Sequence, residues 1–134
     1  MPSPGTLTRR APSENERRDM EFGFRMAKEI GRLDVGQTAV VKGMAVMALE
    51  AIEGTDACIL RGGKLARGGA VVVKVAKPAQ DSRFDVPAVG VTTVERMIEA
   101  GATALAIEAE HTLLVDREKT IALAEAHDIT IVAM

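Results

Sequence analysis

Residues 70–75 constrain the fold more than any other segment of the chain. Their sequence, Ala-Val-Val-Val-Lys-Val, is apolar except at Lys74 and contains three consecutive valines. Valine favours strands, and an apolar run without alternation indicates a strand that is covered on both faces, as in parallel sheets flanked by helices. This segment therefore predicts a central strand in an α/β fold.

Strand and helix patterns alternate along much of the remaining chain. At 134 residues, the length fits one domain. The alternation predicts a mixed, mostly parallel sheet flanked by helices. The first predicted elements are a helix of about 18 residues behind the Ser13/Glu16 capping box and two short strands turned at 42–43. Two helices follow: one over 57–66 that is capped by Thr55 or Asp56, and, after the central strand, one that is capped by Thr92 or Thr93 and ends at Gly101. The last elements are a strand over 104–107 that residues 112–115 continue or pair with, a helix over 117–127 capped by Asp116, and a closing strand over 129–133.

The first 13 residues differ in composition from the rest. They are rich in proline and serine, which is typical of a linker. We interpret residues 1–13 as a linker remnant from an N-terminal domain, although residues 7–11 could add a short strand, and residues 14–134 as the folded domain.

A dense cluster of charges follows the predicted central strand. Ligands of open α/β sheets bind outside the carboxyl ends of the strands, which is where this cluster lies. Lysine and arginine can neutralise a phosphate, and aspartates can bind Mg²⁺ or orient a water. Surface ion pairs explain the same composition, so the residues alone leave both interpretations open. The cluster contains Lys74, Lys77, Gln80, Asp81, Arg83 and Asp85.

A second group of polar residues lies at the turn before the second predicted helix. It consists of Glu50, Glu53, Gly54, Thr55 and Asp56. A glycine lets the backbone approach a ligand closely, and a helix N-terminus offers free N–H groups to an anion. Taken alone, these residues are better explained as a helix cap with solvated acids.

The remaining residues exclude several classes of function. The net charge of −2 and the absence of Trp and Tyr argue against a nucleic-acid-binding surface built on Lys74, Lys77 and Arg83. The single cysteine, Cys58, fits a reducing cytosol, with a reactive thiol as the alternative. Other polar residues that follow a strand, without a metal-binding spacing, are Glu108, Glu110 and His111.

Four segments together resemble one known family. They are Asp19-Met-Glu-Phe-Gly-Phe, the stretch over 27–37, the Glu-Gly-Thr-Asp turn within 50–56, and the Lys-x-x-Lys-Pro-x-Gln-Asp-x-Arg-x-Asp-x-Pro loop over 74–87. This combination resembles the C-terminal domain of the LpxI-type UDP-2,3-diacylglucosamine pyrophosphatases. The resemblance covers nearly the whole chain.

The resemblance implies a reaction and a set of site residues. The family hydrolyses UDP-2,3-diacylglucosamine to lipid X (2,3-diacylglucosamine 1-phosphate) and UMP in lipid A biosynthesis, with Mg²⁺ and with water attacking the α-phosphorus. We therefore expect catalytic roles for Asp85, Asp81 and Arg83. Phosphate or substrate binding is expected from Lys74, Lys77, Gln80, Thr55 and Gly54, and metal binding from Asp85, Asp56 and Glu53.

The resemblance also implies partners and a location. Family members are cytoplasmic homodimers that hold the substrate between two domains, and peripheral contact with the inner membrane would bring them to a lipid substrate. We expect the N-terminal domain to be missing from this chain, and we therefore expect little activity from the chain alone. The alternative is a non-catalytic module for dimerisation and ligand docking.

Overall fold

A mixed sheet forms the centre of the computed structural model, which describes residues 1–78 and 86–134. Within those residues, six strands form the main sheet in the order β1-β8-β6-β4-β2-β3, and β5 and β7 form a separate pair. The strands are β1 (Gly5–Thr6), β2 (Thr38–Lys42), β3 (Ala45–Leu49), β4 (Val71–Lys74), β5 (Ala88–Val89), β6 (Ala104–Ile107), β7 (Leu113–Leu114) and β8 (Thr130–Ala133). The helices are α1 (Glu14–Arg32), α2 (Thr55–Ala66), α3 (Val91–Ala100) and α4 (Arg117–Ala126).

The strand directions confirm the predicted fold class. Strand β6 is parallel to both β4 and β8, whereas β1 is antiparallel to β8 and β2 is antiparallel to β4 and β3. Strands β3, β4, β6 and β8 consequently run in one direction, which makes the main sheet mostly parallel.

Helices cover both faces of this sheet. The valines of β4 alternate between the two faces: Val71 and Val73 pack with Met20 of α1, and Val72 packs with Ile59 of α2. All four residues of the strand are buried. The valine run is therefore a central strand covered on both faces, as predicted.

The predicted helix starts are confirmed for α1 and wrong for α2 and α3. Ser13 and Glu16 form the predicted capping box of α1. Helix α2 has Gly54 at its N-cap instead of Thr55 or Asp56, and α3 has Gly90 instead of Thr92 or Thr93. Gly54 has a φ of +90°, which a side chain disfavours, so the turn itself selects glycine.

Two strand predictions also need correction. Residues 112–115 neither continue nor pair with the strand over 104–107, because β7 pairs in parallel with β5. Near the N-terminus, the strand lies at Gly5–Thr6 and not within 7–11, since these two residues are paired with β8. Asp116 does precede α4 as predicted. Its φ is +47°, and its side chain does not form a capping hydrogen bond with the described residues.

Among residues 1–78 and 86–134, none of the helices combines the length and the apolar character that a membrane span requires.

Candidate functional site

One edge of the sheet collects most of the sequence-predicted site residues that the structure describes. Thr38, at the start of β2, is paired with Lys74, at the end of β4. The N–H of Glu50 donates to the Thr38 carbonyl at 2.9 Å, which brings the end of β3 to the same edge. Glu108 follows Ile107, the partner of Lys74 on β6. The carboxyl ends of three parallel strands therefore meet here.

Two helices begin at this edge. Helix α2 starts after Gly54 and α3 starts after Gly90, and the two pack side by side, with Gly63 of α2 against Ala100 of α3. The first N–H groups of each helix lack an intrahelical partner and carry partial positive charge. The Lys74 ammonium lies between β4 and the start of α3, where it donates to the Ala88 carbonyl at 3.0 Å. A cation and two helix N-termini at one edge favour an anionic ligand.

The Glu-Gly-Thr-Asp turn is held by the carboxylate that precedes it. Glu50 is buried, and its Oε1 accepts hydrogen bonds from the Gln37 N–H at 3.2 Å and from the Thr55 hydroxyl at 3.4 Å. The Thr55 hydroxyl also lies 3.2 Å from that of Thr38. Glu50 therefore fixes the N-terminus of α2 against β2, and Gly54 and Thr55 are held at the edge.

The other two acids of the turn differ in their surroundings. Glu53 forms an ion pair with Arg61, and this hydrogen-bonded guanidinium holds the pKa of Glu53 below its ordinary value. Arg61 also donates to the Leu49 carbonyl at 2.9 Å, so the pair connects α2 with the end of β3. Asp56 is exposed in the first turn of α2.

A cleft opens beside this turn. Its volume is about 460 Å³. The Lys77 ammonium lies on its wall, 3.0 Å from the Asp34 carboxylate. The cleft is lined by Asp34, Val35, Gly36, Gln37, Glu50, Ala51, Ile52, Gly54 and Lys77.

The comparison with known families identifies the family of this chain. A family model described as the LpxI C-terminal domain matches residues 3–132. This chain belongs to the LpxI C-terminal domain family. It is also 40% identical over 129 residues to the UDP-2,3-diacylglucosamine pyrophosphatase LpxI of Caulobacter vibrioides (strain ATCC 19089 / CIP 103742 / CB 15). That match covers 90% of this chain and 46% of the relative, so the chain spans about half the length of the relative.

The structure describes six of the residues that were predicted as site residues of this LpxI-type domain. Gly54 and Lys77 line the same cleft, and Lys74 and Thr55 are neighbours of Thr38. Glu53 is directed to Arg61, and Asp56 is exposed on the first turn of α2. The other predicted residues, Gln80, Asp81, Arg83 and Asp85, lie outside the described residues.

The structure also describes the weaker sequence candidates Glu110, His111 and Cys58. Glu110 and His111 are exposed. Burial raises the pKa of the Cys58 thiol to about 12, so the thiol is protonated at neutral pH and the reactive-thiol alternative loses its basis.

The sequence did not single out Lys28. This residue belongs to α1, and its ammonium forms an ion pair with Glu108 at 2.6 Å. It also donates to the Ala76 carbonyl at 3.0 Å. The only sequence signal was a lysine near the carboxyl end of α1, and the pairing spans 80 residues, which a pattern along the chain does not reveal.

Proposed function

We propose that this chain supplies the phosphate-binding and catalytic half of a hydrolase that cleaves UDP-2,3-diacylglucosamine to lipid X and UMP in lipid A biosynthesis. The observation that carries this proposal is the sheet edge itself. There, Lys74, Lys77 and the N-termini of α2 and α3 surround the end of a buried parallel strand, in a member of the LpxI C-terminal family. A pyrophosphate linkage is the anionic part of that substrate.

The described cations and N–H groups have one chemical role in this proposal. Cleavage of a pyrophosphate increases the negative charge on the leaving oxygen, and positive groups that are already oriented stabilise that charge. Lys74 is buried at the strand end, where a charge interacts more strongly than in water. Lys77 and Gly54, the N-cap residue of α2, line the cleft. Arg83 and Gln80 complete the phosphate contacts in our proposal.

Asp85 is the proposed catalytic carboxylate. It orients a water and accepts its proton while the water oxygen attacks the α-phosphorus. The bond between that phosphorus and the bridging oxygen breaks, which releases UMP, and the bridging oxygen stays with lipid X. Asp81 supports Asp85 in this role. The basis for the Asp85 assignment is the family's Arg-x-Asp-x-Pro motif, which is present at residues 83–87, and Asp81 belongs to the same charged segment of the sequence.

Mg²⁺ is the proposed cofactor. The described residues do not contain a group of three or more Asp, Glu, His or Cys side chains placed to hold a metal ion. Glu53 is already paired with Arg61. Mg²⁺ commonly binds through one or two carboxylates together with substrate phosphates. The proposed ligands are Asp56, which is exposed on the first turn of α2, and Asp85. When bound, Mg²⁺ would neutralise charge on the phosphates.

The proposed partners follow from the length of the relative. The chain corresponds to 46% of the Caulobacter protein, so we propose that the remaining half contributes the opposite wall of the substrate cleft. We further propose that the protein is a cytoplasmic homodimer in peripheral contact with the inner membrane. The membrane holds the lipid substrate.

The test uses a chimera in which this chain replaces the matching part of the Caulobacter protein. We expect Mg²⁺-dependent release of UMP from UDP-2,3-diacylglucosamine by the chimera and little release by the 134-residue chain alone. Asp85→Asn should lower kcat by about 10³-fold, because the amide does not accept the proton. Asp128→Asn, a matched change at an exposed residue, should leave kcat unchanged.

Two results would contradict the proposal. Full turnover by Asp85→Asn would remove Asp85 from catalysis. A wild-type chimera that binds UMP without hydrolysing the substrate would favour the docking-module alternative.

A further inference from the structure

We infer that Lys28 and Glu108 are positioning residues, which fix the Ala76 peptide groups and thereby set the directions of Lys74 and Lys77. This inference rests on the proposed function, since it assigns the two lysines to phosphate stabilisation.

The contacts form a closed set around one residue. The Ala76 N–H donates to Glu108 Oε1 at 3.0 Å, and the Lys28 ammonium donates to the Ala76 carbonyl at 3.0 Å. The Lys28 ammonium and the same Glu108 oxygen are 2.6 Å apart. Both polar groups of the Ala76 backbone are therefore bound by side chains, one from α1 and one that follows β6.

The position of Ala76 along the chain gives these contacts their importance. Val75 donates its N–H to the Gln37 carbonyl at 2.9 Å, which extends the pairing with β2 by one residue beyond β4. At Ala76 the Lys28 and Glu108 side chains bind the backbone instead. Lys77 comes next, with its Cα against Gly31 of α1. Lys28 and Glu108 thus form a clamp on the Ala76 backbone, and this clamp determines where the chain leaves the sheet.

The two side chains are themselves well supported. Glu108 is 15% exposed and Lys28 is 35% exposed, so solvent screens their ion pair less than a surface pair. The Lys28 ammonium also lies 5.8 Å from the centre of the Phe24 ring, a favourable cation–π distance. The Glu108 carbonyl accepts a hydrogen bond from the Thr112 hydroxyl at 2.9 Å. Such support favours one orientation of the clamp.

Kinetics of clamp variants in the chimera test the inference. Glu108→Ala and Lys28→Met should each lower kcat about tenfold, because small displacements of charged groups weaken transition-state stabilisation. The KM for UDP-2,3-diacylglucosamine should change less than about threefold, since ground-state binding uses the whole substrate. The double variant should be no worse than Glu108→Ala, because both side chains act through Ala76. Glu108→Gln keeps an oxygen for the Ala76 N–H and should recover most of the lost kcat.

A second measurement is independent of turnover. In the isolated chain, Glu108→Ala should accelerate hydrogen exchange at the Ala76 amide by about tenfold or more, because it removes the acceptor of that N–H. The matched control is Arg32→Met, which breaks the exposed Arg32–Glu29 pair of the same helix and should change neither kcat nor exchange.

The outcomes separate this inference from the proposed function. An active wild-type chimera whose kcat is unaffected by Glu108→Ala would overturn the inference alone, as would a loss of kcat that only follows a loss of folded protein. An inactive wild-type chimera would overturn the proposed function and the inference with it.

Discussion

Glu16 shows how a single charged side chain is accommodated in the interior. Its carboxylate accepts hydrogen bonds from the Ser13 N–H at 2.8 Å, the Thr103 hydroxyl at 2.7 Å and the Arg10 guanidinium at 2.9 Å. Burial alone would raise the pKa of Glu16, but these three partners outweigh it and lower the pKa below the ordinary 4.5. The ionised form is therefore stabilised by folding.

The lowered pKa of Glu16 predicts a pH-dependent contribution to stability. Its folded pKa lies below its unfolded value of 4.5, so the contribution is complete above that value and is lost as pH falls through the folded pKa. Glu16→Gln should lower the free energy of unfolding by about 1–3 kcal/mol at pH 7. Urea titrations from pH 7 to 3 should show this difference shrinking below pH 4.5.

A matched control for Glu16 lies two residues away on the same helix. Glu14 forms an exposed pair with Arg18, and Glu14→Gln should change stability by less than about 0.5 kcal/mol at either pH. A Glu16→Gln difference that stays constant across the pH range would contradict the assigned role.

The candidate site was partly predictable at the residue scale. Lys77 and Gly54 were predicted from local composition, and the structure places both on one cleft. Glu53 was predicted as a metal ligand, which stays a prediction, and in the structure it is paired with Arg61, eight residues along the chain. Lys28 was not predicted, because its pairing with Glu108 exists only after α1 has packed on the sheet. Local charge therefore predicts where a site lies, while tertiary packing selects the partner of each charge.

At the scale of elements, long periodic segments were predicted well. Helix α1 and the hairpin of β2 and β3 follow their sequence patterns. The short pair of β5 and β7 was not predicted, since two-residue strands carry too little pattern to identify a partner. The starts of α2 and α3 were misplaced because a threonine near the start of a helix suggests a side-chain cap, whereas the preceding glycine takes the cap position.

The contact between α2 and α3 depends on a glycine. A Cβ on Gly63 would lie 2.4 Å from Ala100 Cβ and 2.6 Å from the Ala100 carbonyl oxygen, so Gly63→Ala forces the helices apart. We expect a loss of about 1–3 kcal/mol in the free energy of unfolding, despite the helix preference of alanine. Urea denaturation measures this loss in the free energy of unfolding, and Lys64→Ala, at an exposed position of α2, is the control. An equally stable Gly63→Ala variant would show that the two helices have room to separate.

At the scale of the whole molecule, both ends of the chain meet at one side of the sheet. Gly5 and Thr6 pair with Ala133 and Val132 of β8, and the Pro2 carbonyl accepts a hydrogen bond from the Glu110 N–H at 2.8 Å. The segment that was interpreted as a linker remnant therefore lies on the domain. Whether another domain precedes it stays a prediction.

These contacts predict a measurable role for the N-terminal segment in stability. Deleting residues 1–9 removes the β1 pairing, the bond from the Leu7 N–H to the Ile131 carbonyl and the bond from the Ile131 N–H to the Thr8 hydroxyl. Each lost hydrogen bond costs about 1 kcal/mol, so the free energy of unfolding should fall by roughly 2–4 kcal/mol. Pro4→Ser, an exposed change that preserves β1, should have an effect below about 0.5 kcal/mol.

A flexible linker would be removed without cost, so equal urea midpoints for the truncated and intact chains would contradict the structural role. A lower midpoint with a single cooperative transition would show that the segment unfolds together with the sheet.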